Sequence, residues 1–203
     1  MLLEAARLHD RTFAYPLIAT FLLTGGRESE VLGLEVRDVS TDRKIITFRP
    51  NRWRRLKTPT SFRAVPLWPQ LAEILGAYLV QRPPARLLFP SFHTGDEAMV
   101  TDWRKLLDRI AARAGWKSGE IRSKMFRHTY AAARLQTLDQ GAPVSVYTVA
   151  KELGHGGESM VRRVYGHLGA VRHRSRVVEY RVQQHRTVLG NRLRALVSTR
   201  SQR

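Results

Sequence analysis

The residues best suited to chemistry lie late in the sequence, where two short segments each contain Gly-His. These are Leu153–His155 and Tyr165–His167, and His155 precedes Tyr165 by ten residues. A tyrosine phenol is a nucleophile once it loses its proton, and a nearby imidazole can bind phosphate or help to move that proton. The formal net charge of +18 attracts phosphate. The pair therefore predicts covalent attack by Tyr165 on a nucleic-acid backbone.

Attack on a phosphodiester also requires positive charge around the phosphate, because the transition state gains negative charge. Two arginines can fork onto the non-bridging oxygens, and a lysine can protonate the departing sugar oxygen. The candidates upstream are Arg27, Lys57, Lys124 and Arg127. Such cations could replace a metal ion, and the sequence has no carboxylate cluster to hold one. We therefore expect neither a metal site nor a cofactor.

Composition narrows the class of protein. A chain of 203 residues with 43% hydrophobic content can form one core, and 35 lysines and arginines stand against 17 acids. That excess is typical of nucleic-acid binders. No stretch approaches the ~18 apolar residues of a membrane span, residues 1–13 do not look like a secretory signal, and cysteine is absent. We expect a cytoplasmic, nucleoid-associated protein that binds double-stranded DNA and no membrane.

Hydrophobic periodicity predicts a mainly helical domain over residues 1–203 with one small β-rich insertion. The expected helices are Pro16–Thr24, Glu28–Leu34, one from Pro69 to before Pro83, one from Thr101 to Gly115, Met125–Thr137 and Pro143–Leu153. The expected strands are Lys44–Phe48, Arg52–Lys57 and Arg63–Leu67. Residues 170–203 predict an arginine-rich C-terminal helix, with nine arginines and one acid.

Four motifs in order resemble the catalytic domain of the tyrosine recombinase (phage integrase) family. They are Thr24–Glu30, similar to the first arginine box; Lys57-Thr58 with Arg63–Leu67, similar to the hairpin lysine segment; Lys124–Tyr130, similar to the second arginine box; and Leu153–His155 with Tyr165–His167, similar to the third box and nucleophile. Each box alone is weak evidence. Their shared order over residues 24–167 is strong evidence.

The resemblance implies an α+β, mainly helical DNA breaking-rejoining fold with a small three-stranded antiparallel sheet, encoded by a bacterium, an archaeon or a phage. It implies that Arg27 and Arg127 clamp the scissile phosphate and that Lys57 protonates the leaving 5′ oxygen. Tyr165 would form a 3′-phosphotyrosyl bond, which keeps the bond energy for religation. His155 would bond a non-bridging oxygen or assist proton transfer from the phenol.

The resemblance further implies that Glu30 orients the histidine or supports the first arginine. The sequence departs from the family pattern in two places. Lys124 stands where the family usually has histidine, and only some two dozen residues precede the first box, where family members usually carry a helical DNA-binding domain. We therefore expect that N-terminal core-binding domain to be absent. We interpret His128, His167 and Trp103 as mainly structural.

Further basic residues are expected to contact DNA: Arg52, Arg54, Arg55, Arg63, Arg162 and Arg163. The expected assembly is a homotetramer on paired DNA sites and a monomer when free, with the C-terminal helix docking in cis or in trans. The function favoured is site-specific DNA recombination or integration. Two alternatives stay open: DNA relaxation like that of a type IB topoisomerase, which Lys124 slightly favours, and a non-catalytic nucleic-acid-binding module.

Overall fold

The computed structural model describes residues 2–91, 97–139 and 142–165, and within these ranges it contains eight α-helices and seven short strands. The helices are α1 (Leu2–Arg7), α2 (Ala14–Thr24), α3 (Glu28–Leu32), α4 (Pro69–Gln81), α5 (Trp103–Arg113), α6 (Ser123–Leu135), α7 (Val146–Glu152) and α8 (Ser159–Tyr165). The strands are β1 (Val39–Ser40), β2 (Ile45–Phe48), β3 (Arg63–Pro66), β4 (Pro90–Ser91), β5 (Ala98–Met99), β6 (Leu138–Asp139) and β7 (Ala142–Pro143). Single 3₁₀ turns occupy Val36–Asp38 and Pro59–Ser61.

The three-stranded antiparallel sheet that the sequence predicts is confirmed, with strand order β1-β2-β3. Its register pairs Ile46 with Val65 and Phe48 with Arg63. Arg63 and Val65 are buried, whereas Ala64 between them is exposed. Successive side chains point to opposite faces of a strand. The Arg63 side chain therefore shares the inner face with Val65.

The predicted strand at residues 52–57 is wrong, because the outer strand of this sheet is β1, which pairs with β2. Residues 52–57 belong instead to the connection between β2 and β3. The Asn51 side-chain oxygen accepts hydrogen bonds from the backbone N–H groups of Trp53 (3.0 Å) and Arg54 (3.1 Å). An asparagine that bonds its own backbone in this way folds it into a turn. These N–H groups are then occupied and cannot extend a strand ladder.

The main core packs α1, α2, α4, α5 and the first half of α6 around the sheet. At its centre the Phe21 ring of α2 stacks on Trp103 of α5, with ring centroids 4.8 Å apart, and on Phe126 of α6, at 5.7 Å. These aromatic contacts fix α6 against α2. Since α2 leads directly to Arg27 and α6 carries Arg127, they also fix the two arginine boxes relative to each other.

A second apolar cluster joins the other half of α6 to α7 and α8. Its buried members are Tyr130, Ala131, Leu135, Val144, Val149, Ala150, Leu153, Val161 and Tyr165. The helix α8 is not among the predicted elements, because its seven residues are too few to show a helical period. Since α6 belongs to both clusters, it connects the segment that ends at Tyr165 to the rest of the domain.

Gly25 ends α2 in the left-handed backbone conformation, with φ of 60°. Glycine adopts this conformation without strain. A Cβ atom at this position would lie 2.6 Å from Cδ1 of Tyr130 and 3.1 Å from Cδ2 of Leu153. The glycine therefore lets the end of α2 meet α6 and the end of α7 closely, at the point where Arg27 precedes α3.

The other predicted helices are confirmed with small shifts in their ends. The largest shift is in α7, which begins at Val146 and not at Pro143, a residue of β7. Ser145 caps α7, and its Oγ accepts the backbone N–H of Thr148 at 3.0 Å. The predicted helix at 170–203 and His167 lie outside the described residues. Every helix within them is too short or too polar to cross a bilayer.

Candidate active site

Arg27 is the residue directly before α3 and is held there by Glu30, in the first turn of that helix. The backbone N–H of Arg27 donates to Glu30 Oε2 at 2.8 Å, and its Nη1 donates to Glu30 Oε1 at 2.7 Å and to Ser61 Oγ at 3.1 Å. The Glu30 side chain is only 2% exposed. The structure thus places Glu30 against Arg27, one of the two arrangements that the resemblance implies.

Arg63 is the second partner of Glu30, and its position corrects the expectation that it contacts DNA. Its side chain is 5% exposed. It donates to both Glu30 oxygens at 3.2 and 2.9 Å, and it lies over the Phe48 ring, 4.4 Å from the centroid. Burial acts to raise the pKa of Glu30, but the bonds and charges of Arg63 and Arg27 outweigh it and lower that pKa to about 2. Arg63 is therefore an internal residue that holds the first arginine box.

Arg54 likewise cannot meet DNA, because its side chain is 1% exposed. It donates to the Glu30 carbonyl oxygen, to the Arg49 carbonyl oxygen at 3.0 Å and to Asp38 at 3.4 Å. Burial lowers the pKa of Arg54, although Asp38 opposes the change. The two buried arginines therefore tie the connection between β2 and β3 to α3.

Arg127, on α6, links three parts of the site. Its Nη1 donates to the Gly25 carbonyl oxygen at 2.9 Å, and its Nη2 donates to the Leu153 carbonyl oxygen and to His155 Nε2, the latter at 2.9 Å. Burial, with the positive charges of Arg27 and Arg63, lowers the pKa of Arg127 to about 9. The predicted arginine pair and His155 are thus brought together.

Three consecutive carbonyl oxygens at the end of α7 each accept a hydrogen bond from a different arginine. Arg63 Nε donates to residue 152 at 2.6 Å, Arg127 to residue 153, and Arg27 Nη2 to residue 154 at 3.5 Å. The last carbonyls of a helix have no partner within it and carry partial negative charge. They therefore attract guanidinium groups. We call Arg27, Arg63 and Arg127 the arginine cluster.

The arginine cluster keeps hydrogen-bonding capacity for a ligand. A guanidinium has five N–H donors. Among the described residues, three donors of Arg27 and three of Arg127 have acceptors, which leaves two on each. These remaining N–H groups can donate to the oxygens of a phosphate.

His155 follows the α7 terminus and is neutral. Burial and the charges of Arg127, Arg27 and Arg63 lower the pKa of His155 to about 4. Because Arg127 donates to Nε2, the imidazole hydrogen is assigned to Nδ1. That Nδ1 is buried and has no hydrogen-bond partner within the described part of the chain. His155 therefore keeps one unpaired N–H donor and is a poor proton acceptor.

Tyr165 ends α8, and its ring is part of the second apolar cluster at 8% exposure. Its hydroxyl is hydrogen-bonded to His128 Nδ1. Burial raises the pKa of Tyr165, while Arg127 acts to lower it. The sequence gives no signal for the partnership with His128, because the two residues are 37 positions apart and on different helices.

The two candidate lysines are exposed. Lys57 is in the β2–β3 connection, which is linked to Arg27 through Thr58 and Ser61, whose hydroxyl oxygens are 2.9 Å apart. Lys124 lies in the first turn of α6, one turn before Arg127. Residues three apart share a helix face. Neither lysine has an ion-pair partner among the described residues.

The remaining basic candidates are at the surface, where they can meet a ligand: Arg52, Arg55, Arg162 and Arg163. The Arg52 guanidinium lies 4.1 Å from the Trp53 ring centroid, and Arg162 bonds Glu158 at 2.7 Å. Within the described ranges no three His, Cys, Asp or Glu side chains group in a way that could hold a metal ion.

A family model described as the phage integrase family matches residues 2–171. The chain belongs to this family. The match covers every box of the candidate site, from Arg27 to Tyr165. It confirms the resemblance to tyrosine recombinase catalytic domains.

Curated relatives agree with this membership. Tyrosine recombinase XerD of Brucella suis biovar 1 (strain 1330) is 28% identical over 172 residues, which cover 82% of this chain and 50% of the relative. XerD of Brucella abortus (strain 2308) has the same identity and coverage. The chain thus spans about half the length of the curated relatives it matches.

Solved structures share the fold. A crystal structure of XerA recombinase superimposes with a TM-score of 0.61 at 21% identity, covering 90% of this chain and 60% of that one. XerH bound to its difH substrate, in a pre-cleavage complex, gives 0.60 at 22%, covering 79% and 46%. The catalytic domain of bacteriophage HP1 integrase gives 0.59 at 21%, covering 87% of each chain. This integrase-family chain therefore has the fold of a tyrosine recombinase catalytic domain.

Proposed function

We propose that this chain is the catalytic domain of a site-specific DNA recombinase or integrase that cleaves and rejoins DNA through a 3′-phosphotyrosyl bond at Tyr165. One observation carries the proposal. The guanidiniums of Arg27 and Arg127 converge on the end of α7 beside His155, with unused N–H groups on both arginines. The Tn1549 transposon integrase, which shares the fold, was solved in complex with circular intermediate DNA, and XerH site-specific recombinase was solved bound to its difH substrate.

The arginine pair performs the electrostatic part of the reaction. A scissile phosphate bound between Arg27 and Arg127 accepts hydrogen bonds from both guanidiniums on its non-bridging oxygens. These fixed charges stabilise the extra negative charge of the transition state without reorganising. His155 adds a hydrogen bond to one of the same oxygens. Since this positive charge comes from side chains, the reaction is expected to need no metal ion.

The phenol and a lysine perform the covalent part. Tyr165 Oη attacks phosphorus, the P–O5′ bond breaks, and Lys57 donates a proton to the departing oxygen. One phosphate ester replaces another, so the bond energy is retained and religation needs no nucleotide cofactor. Lys57 reaches the phosphate by movement of the connection between β2 and β3, in which its side chain is exposed.

The assembly is part of the same proposal. Strand exchange requires two DNA duplexes and one nucleophile for each of their four strands, so four copies of the chain act on paired sites. The free protein is expected to be a monomer associated with the nucleoid. Exposed Arg52, Arg55, Arg162 and Arg163 supply DNA-backbone contacts.

The test is covalent trapping on nicked DNA. The protein is incubated with a pool of nicked suicide duplexes, in EDTA, and adducts that survive denaturation are counted. The parental chain is expected to form adducts. Tyr165→Phe is expected to form none while it binds DNA with unchanged affinity, because the hydroxyl contributes chemistry and no charge.

A matched control is Tyr147→Phe, since Tyr147 is 54% exposed and lies on α7 near Lys151. It should form adducts at the parental level. Adducts with Tyr165→Phe would show that another residue is the nucleophile. Absence of adducts with the parental chain on every duplex would refute the enzymatic function.

A further inference from the structure

Tyr165 and His128 form a hydrogen bond that has no role in the chemistry described above. The phenol oxygen and His128 Nδ1 are partners, and the two ring centroids are 5.8 Å apart with a tilt of 53°. The contact joins α8 to α6 at the position directly after Arg127. The Tyr165 ring is 8% exposed, so the surrounding apolar side chains fix its orientation. The hydroxyl is consequently held against one imidazole nitrogen.

The other imidazole of the site is unsuited to receive the phenolic proton. His155 Nε2 already accepts a hydrogen bond from Arg127 at 2.9 Å. A second proton there would place a cation among Arg27, Arg63 and Arg127. His155 is thus hydrogen-bonded to a phosphate-binding arginine, whereas His128 is hydrogen-bonded to the nucleophile.

We propose that His128 Nδ1 is the base that takes the phenolic proton of Tyr165 as the phenol attacks the scissile phosphate. The inference rests on the function proposed above. The transfer requires the His128 tautomer in which Nδ1 accepts the phenol O–H and the ring hydrogen is on Nε2. This is the opposite tautomer to that of His155, so the two histidines have separate tasks.

The proton and electron balance is complete with groups already present. The O–H bond of Tyr165 breaks, its proton moves to His128 Nδ1, and the oxygen electron pair forms the new bond to phosphorus. The P–O5′ bond breaks, and its electron pair leaves with O5′, which Lys57 protonates. In religation Lys57 takes the proton of the 5′ hydroxyl as O5′ attacks phosphorus. The bond between phosphorus and Tyr165 Oη breaks, and the imidazolium of His128 returns its proton to the departing phenolate.

The surroundings of the two groups favour this transfer. The His128 side chain is exposed, so the cation formed on it remains hydrated. Burial raises the pKa of Tyr165, and the positive charge of Arg127 acts to lower it. The phenol therefore keeps its proton until a base takes it, and Arg127 offsets part of the cost of burying the anion that forms.

The test measures single-turnover cleavage of nicked suicide DNA by His128→Asn. The asparagine Oδ1 can occupy the place of Nδ1 and accept the phenol hydrogen bond, but it cannot take the proton. Cleavage is expected to slow on the order of 10²-fold, with unchanged DNA affinity. The matched control is His9→Asn, because His9 Nδ1 likewise accepts one hydrogen bond, from the backbone N–H of Arg11 at 3.1 Å, outside the site. It should cleave at the parental rate.

A second variant separates proton transfer from positioning. His128→Ala in added imidazole is expected to regain cleavage in proportion to the imidazole concentration, which a merely structural role would not allow. A parental cleavage rate for His128→Asn, or failure of imidazole to restore a His128→Ala protein that still binds DNA, overturns the role of His128 and leaves the recombinase function standing. Absence of adducts with the parental chain overturns both.

Discussion

Replacement of Arg63 by methionine tests whether the site is held by a buried ion pair. Arg63→Met keeps much of the side-chain volume but removes both bonds to Glu30, at 3.2 and 2.9 Å, and the bond to the residue 152 carbonyl at 2.6 Å. Glu30 then stays buried with Arg27 as its remaining side-chain partner. The Glu30 carboxylate has then lost most of the positive charge that stabilises it.

The expected loss of stability can be bounded in two ways. Removing one partner of a buried ion pair costs about 3–5 kcal/mol. Independently, lowering the pKa of Glu30 from its ordinary 4.5 to about 2 corresponds to about 3 kcal/mol of stabilisation by its partners. Arg63 is the largest of these partners. We expect Arg63→Met to lower the free energy of unfolding by about 3–4 kcal/mol.

Urea unfolding at neutral pH measures this loss, and its dependence on pH identifies the cause. A lowered carboxyl pKa contributes stability above the unfolded value, and that stability is lost as the pH falls from about 4.5 through about 2. This acid-dependent loss should be smaller in Arg63→Met than in the parental chain. Arg162→Met is the control, because the Arg162 side chain is 66% exposed, and exposed pairs contribute at most about 1 kcal/mol. Equal, small losses in both variants would refute the buried-pair reasoning.

Three further outcomes are expected. Lys124→Ala should cleave suicide DNA on the order of 10²-fold more slowly than the parental chain, and Lys124→His should retain part of the parental rate. The control Lys105→Ala, at an exposed position, should cleave at the parental rate. A parental rate for Lys124→Ala would show that Lys124 has no part in cleavage. Gly25→Ala should lower the free energy of unfolding by about 2–4 kcal/mol, because left-handed backbone strain adds to contact with Tyr130. Gly115→Ala, with φ of 87° and open space around it, should show the strain alone, and equal losses would contradict the packing argument. DNA affinity, measured by fluorescence anisotropy, should fall roughly 10³-fold between about 50 and 200 mM salt if about six phosphates are neutralised; a flat response would exclude a charged DNA surface.

Much of the site could be predicted because its residues lie in local motifs with fixed order. The family boxes give Arg27, Arg127, His155 and Tyr165 from short segments. Helical periodicity gives α6, which carries Arg127, and the helices α3 and α7, beside which Arg27 and His155 lie. The structure brings Arg27, Arg127 and His155 together. Neither the helical periodicity nor the family boxes predict how far apart the helices lie.

The misinterpreted residues depended on contacts between distant segments. Arg63, which the sequence analysis places among the DNA-contacting residues, is buried instead. Its alternation with Val65 and Leu67, both buried, was the available signal that it faces inward. The expected strand at 52–57 failed because the Asn51 side chain competes for the backbone N–H groups that follow it. His128 had no comparable signal, since its partner is on a different helix.

The binding of the arginine cluster to the end of α7 has a consequence for protein synthesis. Arg27 and Arg63 bind carbonyl oxygens 127 and 89 residues further along the chain. During translation these arginines leave the ribosome long before the residues whose carbonyl oxygens orient them are synthesised. Contacts of such sequence separation form late in folding. A nascent or prematurely ended chain that lacks α7 therefore has these basic side chains without the carbonyl oxygens that orient them. On the function proposed above, such a chain would not cut DNA.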